Sequence, residues 1–251
     1  MNSTYRGMAA IALLVLWAAP SQAQTADEII EKHLAATGGR AALGKLTSRT
    51  AKGSIIIGTP VGDLAGTLEV YAKVPNKSRQ FVKLDLSKLG AGEVVSDQRF
   101  DGTVGYQIDT FNGNREITGG QLDAMKNGAF PTPLLRYKEN GVSVSLLERE
   151  KVGDRDAYVL MFAPKTGPAM RAFIDAESLM LVRTVMSVNV PQVGGDIEQV
   201  VEFSDYRDVD GVKVAFGITS ANSLQTIKAS LTEVTHNTEI DDASFVRPPG
   251  Q

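Results

Sequence analysis

The sequence predicts a mainly β protein of the α+β class, built on a large, curved antiparallel sheet with helical cover at its start and in its middle. Three observations point there. From Met170 to Asn237 the chain alternates apolar and polar residues in runs separated by turn signals, with hardly a helical pattern. A capped amphipathic helix stands before the first strand, around Thr25 to Leu34. Between Gly119 and Gly141 the alternation stops, and Pro and Gly punctuate a segment with scattered apolar residues.

The chain opens with a leader. Met8 to Ala19 is a continuous apolar run of about a dozen residues, too short to span a bilayer. Pro20-Ser21-Gln22-Ala23 then places small residues at the −3 and −1 positions of a cut after Ala23. This is the grammar of a secretory signal peptide over 1–23, so residues 24–251 are expected to form one exported domain. None of the 251 residues is cysteine. An exported protein without disulfides is held by its core alone, which suits the bacterial periplasm. The same absence excludes a lipobox anchor, a thiol nucleophile and cysteine metal ligands. The formal charge of −3 becomes one unit more negative when Arg6 leaves with the leader, so no basic face is on offer to nucleic acid.

In the domain itself Thr25 caps the first helix, and Glu28 completes a capping box three residues on. Ile29, Ile30, His33 and Leu34 mark one helical face, Gly38-Gly39 stop the helix, and a shorter piece follows from Arg40 to Leu46. Strands are then expected at 54–57, 64–74 and 78–86, joined by turns at Pro60 to Asp63 and Pro75 to Lys77. Leu68, Val70 and Ala72 share one face of the second, and Val82, Leu84 and Leu86 one face of the third. Asp101-Gly102 turns a hairpin between 93–100 and 103–109. An insertion near 119–140, with one or two short helices, carries Leu122, Met125, Phe130, Leu134 and Leu135 and reads as a plug or a lid. Strands resume at 142–147 and 155–164. The run DAYVLMFAP is apolar on both faces, as a central strand covered on each side would be. The closing meander turns across Asp175 to Ser178 and across Asp210-Gly211, a strong hairpin signal because both residues tolerate positive φ. Phe245 is expected to dock the C-terminal segment. The total is about a dozen strands and two helical regions.

Chemistry is thin. No G-x-S-x-G elbow, P-loop or G-x-G-x-x-G occurs, and the two histidines, His33 and His236, have no motif around them and read as partly exposed. Asp205, Asp208 and Asp210 are the only close carboxylate cluster and read as solvated hairpin acids rather than a metal loop. No catalytic residue, metal or cofactor is expected. A curved sheet with inward Val, Leu, Ile, Met and Ala either packs solid or encloses an apolar ligand.

The leader, the opening helix ADEIIEKHLAATGG, the run of antiparallel strands, the helical insertion and the closing hairpin FSDYRDVDGVKVAFGI together resemble the LolA-like family of periplasmic outer-membrane lipoprotein-sorting proteins. The resemblance implies an incomplete barrel of about eleven strands whose open side is covered by the N-terminal helix and the insertion. It implies a lipid or lipoprotein carrier that shelters acyl chains in an apolar half-barrel during transfer toward the outer membrane, with an inner-membrane transporter and an outer-membrane acceptor as partners. A monomer is expected. On that reading Leu68, Val70, Val82, Leu84, Val185 and Val214 are wall positions, and Leu122, Met125, Phe130, Leu134 and Leu135 are lid positions. Two readings compete with it. One is a non-catalytic envelope assembly module with a solid core, accessory to a transporter or protease. The other is an enzyme on the same scaffold, which would need polar residues converging inside the cavity.

Overall fold

Helix α1 (Ala26–Ala36) begins where the capping box places it. Thr25 Oγ1 accepts from the Glu28 amide at 3.2 Å, and Glu28 returns the bond to the Thr25 amide at 3.1 Å. The computed structural model describes residues 24–60, 62–87, 90–190 and 195–250; the leader read over 1–23 lies outside them. Gly38, at φ +126°, turns the chain into a short helix α2 (Gly39–Leu43). A Cβ at Gly38 would stand 2.6 Å from the Gly211 carbonyl oxygen, so the corner between the helices sits directly on the Asp210-Gly211 hairpin turn.

The first half of the sheet is a meander of β1 (Ser48–Thr59), β2 (Gly62–Lys73), β3 (Lys77–Asp85), β4 (Glu93–Phe100), β5 (Gly105–Asp109) and β6 (Arg115–Ile117). Helix α3 (Gly119–Lys126) and a 3-10 turn at Pro133–Leu135 make up the insertion. The second half is β7 (Ser143–Leu146), β8 (Glu150–Val152), β9 (Arg155–Ala163), β10 (Met170–Asp175), β11 (Leu181–Val190), β12 (Gly195–Val209), β13 (Val212–Ala221) and β14 (Thr226–His236). These fourteen strands form one antiparallel sheet in the order β6-β5-β4-β3-β2-β1-β14-β13-β12-β11-β10-β9-β7, with β8 also on β9. The end strands β6 and β7 do not pair with each other, so the barrel is open. Fourteen exceeds the expected eleven partly because β6 and β8, of three residues each, are too short to show alternation.

The sheet curves where side chains are missing. A Cβ at Gly53 would lie 2.2 Å from the Ser230 carbonyl oxygen, and one at Gly66 would lie 2.1 Å from that of Lys83. Only glycine admits so close an approach between neighbouring strands, as at the corners of coiled sheets. At Gly53 the β1–β14 register also slips, because Thr232 is an extra residue between the pairs Lys52 with Glu233 and Gly53 with Leu231.

The main core lies on the inner face. Ile29, Ile30 and Leu34 of α1 are at most 1% exposed and share one buried cluster with Ile55, Leu68, Val82, Leu84, Val214 and Leu160. Each such fully buried aliphatic side chain contributes roughly 1.5–3 kcal/mol. β9 is covered on both sides, as its sequence predicts: Tyr158, Leu160 and Phe162 join the main core, while Ala157 and Val159 form a second cluster with Phe173 and Val185 on the outer face. Phe245 is buried and docks the C-terminal segment. The histidines correct the sequence reading, since both are buried. His33 faces the core from α1 and donates from Nδ1 to the Leu179 carbonyl at 2.8 Å. Burial lowers its pKa, partly offset by that bond.

Candidate functional site

The insertion leaves the sheet at β6 and returns at β7, so it crosses between the two open edges of the barrel. Polar tethers hold it there. Asn76, in the β2–β3 turn, donates from Nδ2 to the Met125 and Lys126 carbonyls at 3.0 and 3.1 Å, joining the Gly128 amide on the Met125 carbonyl at the end of α3. The Phe130 amide donates to the Pro75 carbonyl at 3.1 Å. On the opposite side Asn127 Nδ2 donates to the Thr166 carbonyl, in the β9–β10 turn, at 2.7 Å. Further on, Arg40 donates to the Leu135 carbonyl at 2.9 Å, and Tyr137 and Lys138 both donate to Asp27 of α1. The Lys138 and Tyr137 bonds hold the Asp27 carboxyl below its ordinary pKa, while burial first and then Asp27 push the Tyr137 hydroxyl up.

Beside these tethers lies a half-open pocket of about 180 Å³, walled almost wholly by apolar atoms. Leu134, Pro133 and Tyr137 roof it, and Val142, Phe162, Met170 and Met186 form its floor. The floor follows from the register: Phe162 on β9 pairs with Met170 on β10, which pairs with Met186 on β11, so three large side chains stand side by side on one face. Two of them are methionines, whose unbranched, polarizable chains adapt to irregular gaps.

The predicted wall positions lie elsewhere. Leu68, Val82, Leu84 and Val214 are buried in the main core, and Val70 packs against that core half-buried. Val185 belongs to the outer cluster with Ala157, Val159 and Phe173, so its place on the inner wall is corrected. The cause is a bulge. Phe173 pairs with Arg183 but Ile174 with Leu181, which leaves Val182 as an extra residue and turns over the faces that follow. Of the predicted lid residues Leu134 lines the cavity, while Phe130 and Leu135 pack on the main core. The Met125 sulfur stands over Gly105 beside Ile117, and Leu122 is half-buried. Of the residues missed, Tyr137 lies within the predicted insertion, Val142 just after it, and Phe162, Met170 and Met186 on β9, β10 and β11. Their period-two alternation marks a face but not which part of that face stays uncovered.

Among the described residues no three His, Asp or Glu side chains could hold a metal ion. Asp205, Asp208 and Asp210 are instead paired with Arg207, Lys213 and His236.

No family model matches the sequence, and no curated protein matches it. Solved structures do match the fold. A LolA superfamily protein from Nitrosomonas europaea is 13% identical, with a TM-score of 0.56 over 90% of this chain and 99% of its own. A domain assigned to outer membrane lipoprotein sorting, from Vibrio parahaemolyticus, is 12% identical, with a TM-score of 0.54 over 87% and 95%. A DUF1329 family protein from Desulfovibrio piger is 10% identical, with a TM-score of 0.54 over 86% and 97%. Identities this low speak for architecture alone, and on that ground the chain has the LolA-like fold.

Proposed function

We propose that the chain is a periplasmic carrier, exported by a leader cut after Ala23, that shelters acyl or other lipophilic chains between the inner face of the sheet and the insertion on the way toward the outer membrane. The observation that carries this reading is the apolar pocket of about 180 Å³ beside a cover held by polar tethers. The pocket is half open, and its volume and apolar lining suit a small apolar group. A longer chain enters only as the insertion moves outward, and each buried methylene contributes about 0.8 kcal/mol against that displacement. The protein acts by binding rather than catalysis on this reading, and the bonds of His33 and His236 to fixed neighbours support it. A donor at the inner membrane and an acceptor at the outer membrane would be the partners of a monomeric carrier.

Organic extraction of the purified protein followed by mass spectrometry tests the proposal. Stoichiometric lipid supports it; a lipid-free protein that also ignores added fatty acids and lipoproteins overturns it. A second reading, a solid-core envelope assembly module accessory to a transporter or protease, is favoured by one observation. Leu68, Val82, Leu84 and Val214 are already buried in the main core and do not line the pocket. That reading expects an empty protein and a partner recovered by crosslinking.

A further inference from the structure

Arg49 lies at the start of β1, on the same face as the core residues Ala51 and Ile55, and is half-buried. Its Nε donates to His236 Nε2 at 3.0 Å, and the ring of Phe130, from the insertion, covers it with 5.4 Å between guanidinium carbon and ring centroid. Among the described residues no carboxylate pairs with it and neither terminal nitrogen has a protein acceptor. Burial lowers its pKa with no acid acting against the shift. The guanidinium is only partly withdrawn from water, and its unpaired terminal nitrogens remain within reach of solvent and of a ligand.

The arrangement around the arginine is built rather than incidental. His236 is shielded completely, and its Nδ1 donates to Asp210 Oδ2 at 3.2 Å. That bond fixes the imidazole with its proton on Nδ1 and its lone pair on Nε2, where it receives the Arg49 Nε proton. The guanidinium is thereby held by one edge, with its two terminal amino groups left to donate. Such a planar fork matches the oxygens of a carboxylate or phosphate. Phe130, which covers it, lies four residues before Leu134, which roofs the cavity.

We propose that Arg49, oriented by His236 and Asp210 and covered by Phe130, is an anion-binding site that takes the carboxylate or phosphate of an amphiphile whose chain lies beneath the insertion. The amphiphile rests on the carrier reading; the anion site does not. The test compares laurate, dodecanol and inorganic phosphate as probes of the wild type and of Arg49→Gln and Arg49→Met, by calorimetry and by the His236 imidazole resonances. Laurate is expected to bind roughly tenfold or more tightly than dodecanol, as a charge-assisted pair requires, and to shift the His236 signals. In both variants that preference should vanish while dodecanol binding stays unchanged; the thermal midpoint confirms that at least one variant is folded. Phosphate alone shifting His236 in the wild type but not in the variants, with neither lipid bound, keeps the anion site and overturns the carrier. Equal binding of laurate and dodecanol overturns the anion site and keeps the carrier. A preference that survives both substitutions, or His236 signals that no anion moves, also overturns it.

Discussion

The inner face of this half-barrel is covered in two ways, and the two halves differ in what the cover leaves beneath it. In the main core the side chains of Ile29, Ile30 and Leu34 from α1 share one buried cluster with Leu68, Val82, Leu84 and Val214, all nearly withdrawn from solvent. Under the insertion the roof is tied by hydrogen bonds, its own carbonyls receiving Asn76 and Arg40 and its Asn127 donating to the Thr166 carbonyl, and a half-open pocket of about 180 Å³ remains. A helix with an apolar stripe fills the groove it lies in. A segment held by its carbonyls can stand off the floor, because hydrogen bonds fix its distance without requiring side chains to meet.

This contrast can be broken by substitution. Leu34→Ala should cost roughly 2–5 kcal/mol of unfolding free energy in a urea titration, as a truncation in a filled core does. Leu134→Ala should cost only about 1 kcal/mol, since that side chain is half-buried and already borders a void. Similar costs at the two leucines would mean that the halves are equally packed. Asn76→Ala removes two hydrogen bonds from the end of α3. It should cost about 1 kcal/mol or less globally, while amide exchange over Met125 to Phe130 rises well above that of α1.

The smallest effect is electrostatic. Burial lowers the pKa of both His33 and His236 in the folded protein. The unfolded chain therefore binds protons more readily, so the stability these residues contribute is complete above pH of about 6.5 and declines as pH falls toward their lowered values. His33→Gln should flatten that part of the profile. Acid loss at lower pH should remain, because Asp27 and Asp175 lie below the ordinary carboxylate range and Asp242, between Lys73 and Lys77, is held down at about 2.

Much of the architecture was legible from local chemistry. The capping box at Thr25 and Glu28, the stop at Gly38, the Asp210-Gly211 turn and the two-sided burial of β9 follow from single residues or short periods. The candidate site was less legible. Val185 follows Leu181 and Arg183 at period two, and nothing in that run announces that Val182 is spare. Leu68, Val82 and Leu84 do face inward, yet alternation cannot tell a wall that the core fills from one the insertion leaves clear. Arg49 carries no motif, since its setting depends on His236 and Phe130, which meet it only through the closed-up sheet.

The order of the strands has a further consequence for assembly. The chain divides at the insertion into two contiguous pieces, β1 to β6 and β7 to β14, whose strands pair with one another along a single ladder, β1 with β14. Arg49 and His236, paired at one end of that ladder, are 187 residues apart. Closing so long a loop comes late and slowly, after local hairpins have formed. A protease cut within the insertion would therefore yield two fragments, each holding a meander of its own, with the β1–β14 ladder and the seats of α1 and α2 left to reunite them. The protein is in this sense a natural split pair, and its cover is also the thread that joins the two parts.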